Sequence, residues 1–209
     1  MEKQRLELAD IIQRHTVEDG NYPTAVGSLV LGRHSHPHDF APVLAQPTLC
    51  IMAQGRKEIR LGDDYFIYDP LHYLVVSVSM PLAGRVVNVS PESPILALRL
   101  DIDPNEISAL IAEAGPLGVP SRPTGLGLYV ERVDTQMFDA LLRLSRLLDT
   151  PKDIPMLAPL VRREIRLSVT AQPAGPSPVR DCYCQQSGAS GEPGDQMAER
   201  QFRATLAHR

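Results

Sequence analysis

No excess of basic charge marks this chain: 21 Lys and Arg stand against 25 Asp and Glu, a formal net charge of -4. A broad basic face that grips nucleic acid through its phosphates is therefore disfavoured, although a small local one is not. No apolar run approaches the roughly 18 residues that a membrane span needs. The opening segment, Met1 to His15, is charged and has no apolar stretch of the signal-peptide kind, so no export route is visible and a cytoplasmic location is expected. Three cysteines, Cys50, Cys182 and Cys184, cannot form a paired framework, which fits reducing surroundings. Tryptophan is absent and aromatics are only 5% of the residues. Even so, 43% hydrophobic and 22% charged residues in a chain of 209 is globular composition, enough for one domain with or without a tail.

What is present falls into three zones. Leu6, Ala9, Ile11 and Ile12 repeat at helical spacing, and Asp19-Gly20-Asn21-Tyr22-Pro23 supplies turn chemistry after them. From Ala25 to Leu100 the runs shorten to strand length. Ser28–Leu31, Thr48–Ala53, Tyr73–Val78, Gly84–Val89 and Pro94–Leu100 read as strands, and Lys57–Leu61 and Tyr65–Tyr68 as a hairpin closed by Gly62-Asp63-Asp64. Six to eight such strands predict an antiparallel sandwich or small barrel. Helical character returns at Asp103, a cap residue followed by Pro104 at the first helical position, with Ile107, Leu110 and Ile111 on one face. Residues 115–127 are rich in Gly and Pro and read as a loop. Thr135–Leu148 and Ile154–Leu167 read as two further helices, the first with Phe138, Leu141, Leu142, Leu144, Leu147 and Leu148 along one stripe. Residues 171–196 are mostly Pro, Gly, Ser, Gln and Asp, the composition of a disordered tail.

No catalytic constellation emerges. His34, His36 and His38 alternate as metal ligands on one face of a strand would, with His72 as a later histidine. No glutamate follows at useful spacing, so a polar loop or pocket rim is favoured and no metal is expected. Gln54-Gly55-Arg56-Lys57 is followed by a strand rather than a helix, which makes it a tight turn with exposed cations and not a phosphate loop. Ser77 and Ser79 lack the surroundings of a nucleophile. Asp101, Asp103 and Glu106 are explained by helix capping. Cys182 and Cys184 are too close and too isolated for a zinc site.

The series Leu49-Cys50-Ile51-Met52-Ala53-Gln54-Gly55, Lys57, Leu61-Gly62-Asp63, Tyr68-Asp69-Pro70, Tyr73–Ser77, Pro81, Ser90–Pro94 and Ala97–Leu100 resembles the N-terminal domain of AraC/XylS-type bacterial transcriptional regulators. Arg143-Leu144, Leu147–Asp149, Pro151, Asp153–Pro155, Leu157–Leu160 and Arg163–Ile165 extend the likeness, which covers roughly residues 5–165. The resemblance implies an α+β fold: a cupin-like antiparallel β-barrel over about 24–100 and a helical dimerisation region over about 103–166. It implies a sensor, not an enzyme, that needs no cofactor. A small-molecule effector would sit at the barrel mouth near His34, His36, His38 and His72, and a homodimer would form through Phe138, Leu141, Leu144 and Leu148.

Relatives of this type continue into a domain with two helix-turn-helix units. Here residues 167–209 form a low-order segment in that place, so no specific DNA binding and no membrane association is expected of the chain. A one-base change of reading frame would produce such a segment. Gln196-Met197-Ala198 read in the shifted frame gives a lysine or arginine followed by tryptophan, as at the approach to the first DNA-binding helices. Two other readings stay open on the residues alone. One is a small-barrel metal-binding protein or enzyme that uses His34, His36 and His38. The other is a dominant-negative partner that dimerises with a full-length regulator.

Overall fold

A computed structural model of the chain describes residues 1–114 and 127–171, all within the first of two compact units, Met1–Ser177. The segment 115–126, which holds most of the expected Gly/Pro loop, and the tail with Cys182, Cys184 and the frame-shift signature lie outside the described residues.

Helix α1 (Glu2–His15) opens the chain. Nine strands follow: β1 (Gly20–Pro23), β2 (Leu29–His34), β3 (His38–Ala45), β4 (Thr48–Gln54), β5 (Lys57–Leu61), β6 (Asp64–Tyr68), β7 (His72–Val76), β8 (Met80–Val86) and β9 (Ile95–Asp101). Then come α2 (Pro104–Ala114), β10 (Leu128–Arg132), α3 (Thr135–Arg146), two short 3₁₀ turns over Leu147–Asp149 and Pro151–Asp153, and α4 (Ile154–Ala171). One sheet has the order β1-β2-β9-β4-β7-β10 and the other β3-β8-β5-β6, with every pairing antiparallel. This is the α+β architecture expected. Local chemistry accounts for its most legible parts. Gly62, at φ +61°, closes the β5–β6 hairpin in a backbone shape that favours glycine. The Asp103 carboxylate accepts from Asn105 N at 2.9 Å ahead of α2, and Asp134 caps α3 through Met137 N at 2.7 Å. Glu106, in contrast, does not close a capping box. It pairs with Arg162 and Arg166 of α4.

Period-two alternation divides the larger sheet between two cores. Leu29, Leu31, Leu49, Ile51, Tyr73, Val75, Leu98 and Leu100 pack beneath α1, α3 and α4. The alternate residues, among them Met52, Leu74, Val76 and Ile95, face Ile59, Phe66, Tyr68, Leu82 and Val86 of the smaller sheet. Three strands arise where none was predicted: β1, β3 and β10. The β8 strand also starts earlier than expected, at Met80, and α4 runs on to Ala171.

Candidate functional site

Within the sandwich, Lys57 lies opposite Tyr68 on one neighbouring strand and Val86 on the other. Ile59, two residues on, belongs to the core between the sheets, so alternation turns Lys57 to the same side. Gly84 makes room for it. A Cβ on Gly84 would stand 3.0 Å from Lys57 Cε and 3.6 Å from its Nζ. Facing this, the larger sheet places Gly32 beside His34, where a Cβ would stand 3.7 Å from His34 Nε2. Both sheets thus reduce a side chain to hydrogen next to a basic group.

Burial governs the protonation of this end of the sandwich. It holds the Lys57 ammonium below its ordinary range. It also lowers His34, helped by the charge of Lys57 and, less, of His38, while the Asp19 carboxylate pulls the other way. The Cys50 thiol and Tyr68 phenol are pushed up by the same burial. Among the described residues the Lys57 amine has no hydrogen-bond or ion-pair partner. The sequence signal, a cation after a glycine turn, pointed outward. What turns Lys57 inward is the strand register with Gly84, which no local pattern carries.

The other histidines separate. His36 Nδ1 lies 2.9 Å from Asp19 Oδ2, and the same oxygen accepts from Ser35 N at 2.7 Å and Ser35 Oγ at 2.9 Å. The Ser35 backbone bond is the main reason the Asp19 pKa falls to about 2. Serine, histidine and aspartate meet here without forming a relay. Ser35 Oγ, at 3.2 Å, and Asp19 share one ring nitrogen instead of taking opposite ones. His38 Nδ1 turns to the Asp39 carbonyl at 2.8 Å, and His72 Nδ1 to Asp69 Oδ1 at 2.8 Å. Among the described residues no three His, Cys, Asp or Glu side chains converge as a metal set. The metal or enzyme alternative required His34, His36 and His38 on one face. The turn between β2 and β3 sends them to different partners.

Open clefts mark the surface of the described residues. One lies among the helices, lined by Gln4, Thr135, Gln136, Asp139, Glu164 and Ser168. Another lies beside His38, lined also by Pro37, Asp39, Arg85, Val86 and Val87. Near the second, Phe40 sits between the guanidinium groups of Arg60 and Arg85, each 4.8 Å from the ring centre. Arg85 also donates to the buried Glu58 at 2.6 Å and 2.9 Å.

The helical stripe is used inside the protomer. Phe138, Leu141 and Leu144 are at most 1% exposed, in the core shared with α1, α4 and the larger sheet, and Leu148 packs partly buried against it. Phe138, Leu141 and Leu144, through which a homodimer was expected, therefore offer no exposed surface to a partner, while Leu148 stays partly exposed. The added cover comes from α1, whose Leu8, Ile11 and Ile12 complete that core. Among the apolar residues left exposed, Met156, Leu157, Leu160 and Leu167 lie together on α4, opposite its buried Ala158, Val161 and Ile165.

Two facing antiparallel sheets with helices packed on one of them define an α+β sandwich module. Residues 25–177 match the model of the AraC-type transcriptional regulator N-terminus, and the chain belongs to that family. Among solved structures, it is similar to the apo K231A variant of ToxT from Vibrio cholerae strain SCE256, with 9% identity and a TM-score of 0.44 over 83% of this chain and 70% of that one. It is similar to unsaturated fatty acid bound wild-type ToxT from the same strain, with 8% identity and a TM-score of 0.45 over 70% of this chain and 57% of that one. The AraC-like transcriptional activator CuxR gives 14% identity and a TM-score of 0.44 over 70% of this chain and 52% of that one. The chain thus spans between 52% and 70% of the length of these structures. Comparison with curated proteins gives no match.

Proposed function

We propose that residues 1–171 form the effector-sensing and dimerisation part of an AraC-type transcriptional regulator acting in the cytoplasm. The observation that carries the sensing role is the end of the sandwich at Lys57 and His34. A basic amine there is turned between two sheets, beside two glycines, with no partner among the described residues. The amine is half-buried, so it stays within reach of a small molecule that could pair with it. Dimerisation through the helices is kept from the expectation but moved to the outer face of α4. Residues 1–171 supply no specific DNA contact in this reading, because their helices are packed on the sheet and on one another. No helix among the described residues is long and apolar enough to cross a membrane.

The test is a thermal-shift screen of the 209-residue chain against small molecules, neutral and charged, followed by sedimentation of the chain with and without the hits. A hit should raise the melting temperature, and Leu160→Glu should weaken the dimer without changing the β-sheet signal. If no compound binds, or if Leu160→Glu sediments like the parent, the sensing or the dimerisation half of the reading respectively is wrong.

A further inference from the structure

We propose that α2 is a charge-latched strap: a helix held on α4 by ion pairs more than by apolar packing, which undocks and unwinds as a unit while both sheets and the other helices stay folded. This holds whatever the protein senses. The first support is burial. Helices α1 and α3 each sink a whole face into the core beneath the larger sheet. Between Pro104 and Glu113 of α2, Leu110 alone is buried, and it belongs to neither core. Ile107 is half-buried and Ile111 exposed. Nor can α2 hold itself. Its 11 residues fall short of the length at which an isolated helix persists in water. Ser108 also turns its hydroxyl back to the Pro104 carbonyl at 2.9 Å, a bond that slightly weakens a helix.

The second support is the chemistry of the contact. Glu106 Oε2 lies 2.5 Å from Arg166 Nη2 and 3.4 Å from Arg162 Nη2, and Glu113 Oε1 lies 2.7 Å from Arg163 Nη2. The Arg166 side chain is only 12% exposed, so loss of the Glu106 carboxylate strands a desolvated guanidinium. The latch also works against itself. Two guanidinium groups share one carboxylate, and Arg162 Nε is buried with no hydrogen-bond partner among the described residues. Release returns these groups to water, which narrows the gap between the docked and released states. In chain order α2 lies between β9 and β10, so its release frees that connection without breaking a strand pairing. What release bares is Leu110 and the flank of α4 that carries Arg162, Arg163 and Arg166.

The experiment follows hydrogen exchange of the whole chain by mass spectrometry. Sodium chloride is varied from about 20 mM to about 500 mM, over which the screening length falls from about 20 Å to about 4 Å. The α2 amides of the parent should exchange at least about tenfold faster at the higher salt, while those of β4, β9 and α3 keep their rates. Glu106→Gln should reach the fast rate at low salt already and lose most of the salt response. Arg163→Gln, which opens only the outer pair, should fall between the two. The salt series of the parent carries the test if Glu106→Gln does not fold. Exchange in α2 as slow as in β9 at both salts, or with no protection at either, would overturn the proposal, as would a parent rate that salt leaves unchanged. So would release of α2 by Leu110→Ala with Glu106→Gln still docked, because the hold is then apolar. If Glu106→Gln speeds exchange equally in α2, β9 and α3, the helix unfolds only with the rest of the fold and is no strap.

Discussion

Asp19 shows how one side chain can fix a chain crossing. Its carboxylate joins the segment after α1 to the turn that leaves β2, through Ser35 and His36. Ser35 is buried, so Asp19→Ala strands two donors and should cost about 1 kcal/mol at neutral pH, measured by urea unfolding. The folded pKa of about 2 lies below the ordinary 3.8. The ionic part of this stabilisation is therefore complete above pH 3.8 and fades as the pH falls through 2, so parent and variant should draw together in acid. Gly55 makes a second residue-scale case. It sits at φ +82°, and a Cβ there would come within 2.8 Å of Ile95 Cγ1 and 3.3 Å of Ile95 Cα. Gly55→Ala should lose about 2 kcal/mol by thermal or urea unfolding, since backbone strain and a clash with a buried side chain act together. At this scale the histidine run was legible and its geometry was not. Alternation would have aligned His34, His36 and His38, but β2 ends at His34 and β3 begins at His38, so the pattern crosses a turn. Lys57 was misread as a turn cation for the converse reason: its surroundings are set by Gly84 on a strand distant in sequence.

Among the elements, those that bury a regular face or carry a local signal could be read from sequence, as with the β5–β6 hairpin, the alternation of β9 and the capped start of α2. The three unpredicted strands are all edge strands. An edge strand has a neighbour on one side only, so it tolerates the proline and polar residues that a central strand rejects. Pro23 ends β1, Pro42 lies within β3, and β3 has no fully buried residue, so no alternation betrays it. The stripe of α3 was visible, but its partner was not. Its moment says that a face is covered, not by what. With the cover inside the protomer, Leu144→Ala should cost about 3–5 kcal/mol in chemical unfolding, as a large-to-small change in a full core does. Leu160→Ala, on the open face of α4, should change protomer stability by less than about 0.5 kcal/mol. If the two variants proved equally stable, the assignment of buried and open faces would be wrong.

The whole molecule is held together from its first residues. The family match begins at residue 25, yet Leu8, Ile11 and Ile12 of α1 are at most 1% exposed in the core beneath the larger sheet. Glu7 accepts from Arg146 at 2.7 Å and Asp149 from Arg14 at 3.0 Å, which clamps α1 to the end of α3 and the turn after it. Burying three such side chains is worth about 2 kcal/mol each, a large part of the 5–15 kcal/mol that holds a typical domain together. A chain that starts at Ala25 should therefore lose cooperative thermal unfolding and expose dye-binding apolar surface, even though it keeps every strand but the edge strand β1. The same clamp has a consequence for synthesis. Glu7 and Arg146 stand 139 residues apart, so the ribosome releases α1 long before its docking partner exists. During that interval Leu8, Ile11 and Ile12 have no α3 to meet. The nascent chain carries an open apolar helix until α3 emerges, a period in which a chaperone or a neighbouring nascent chain can reach it first.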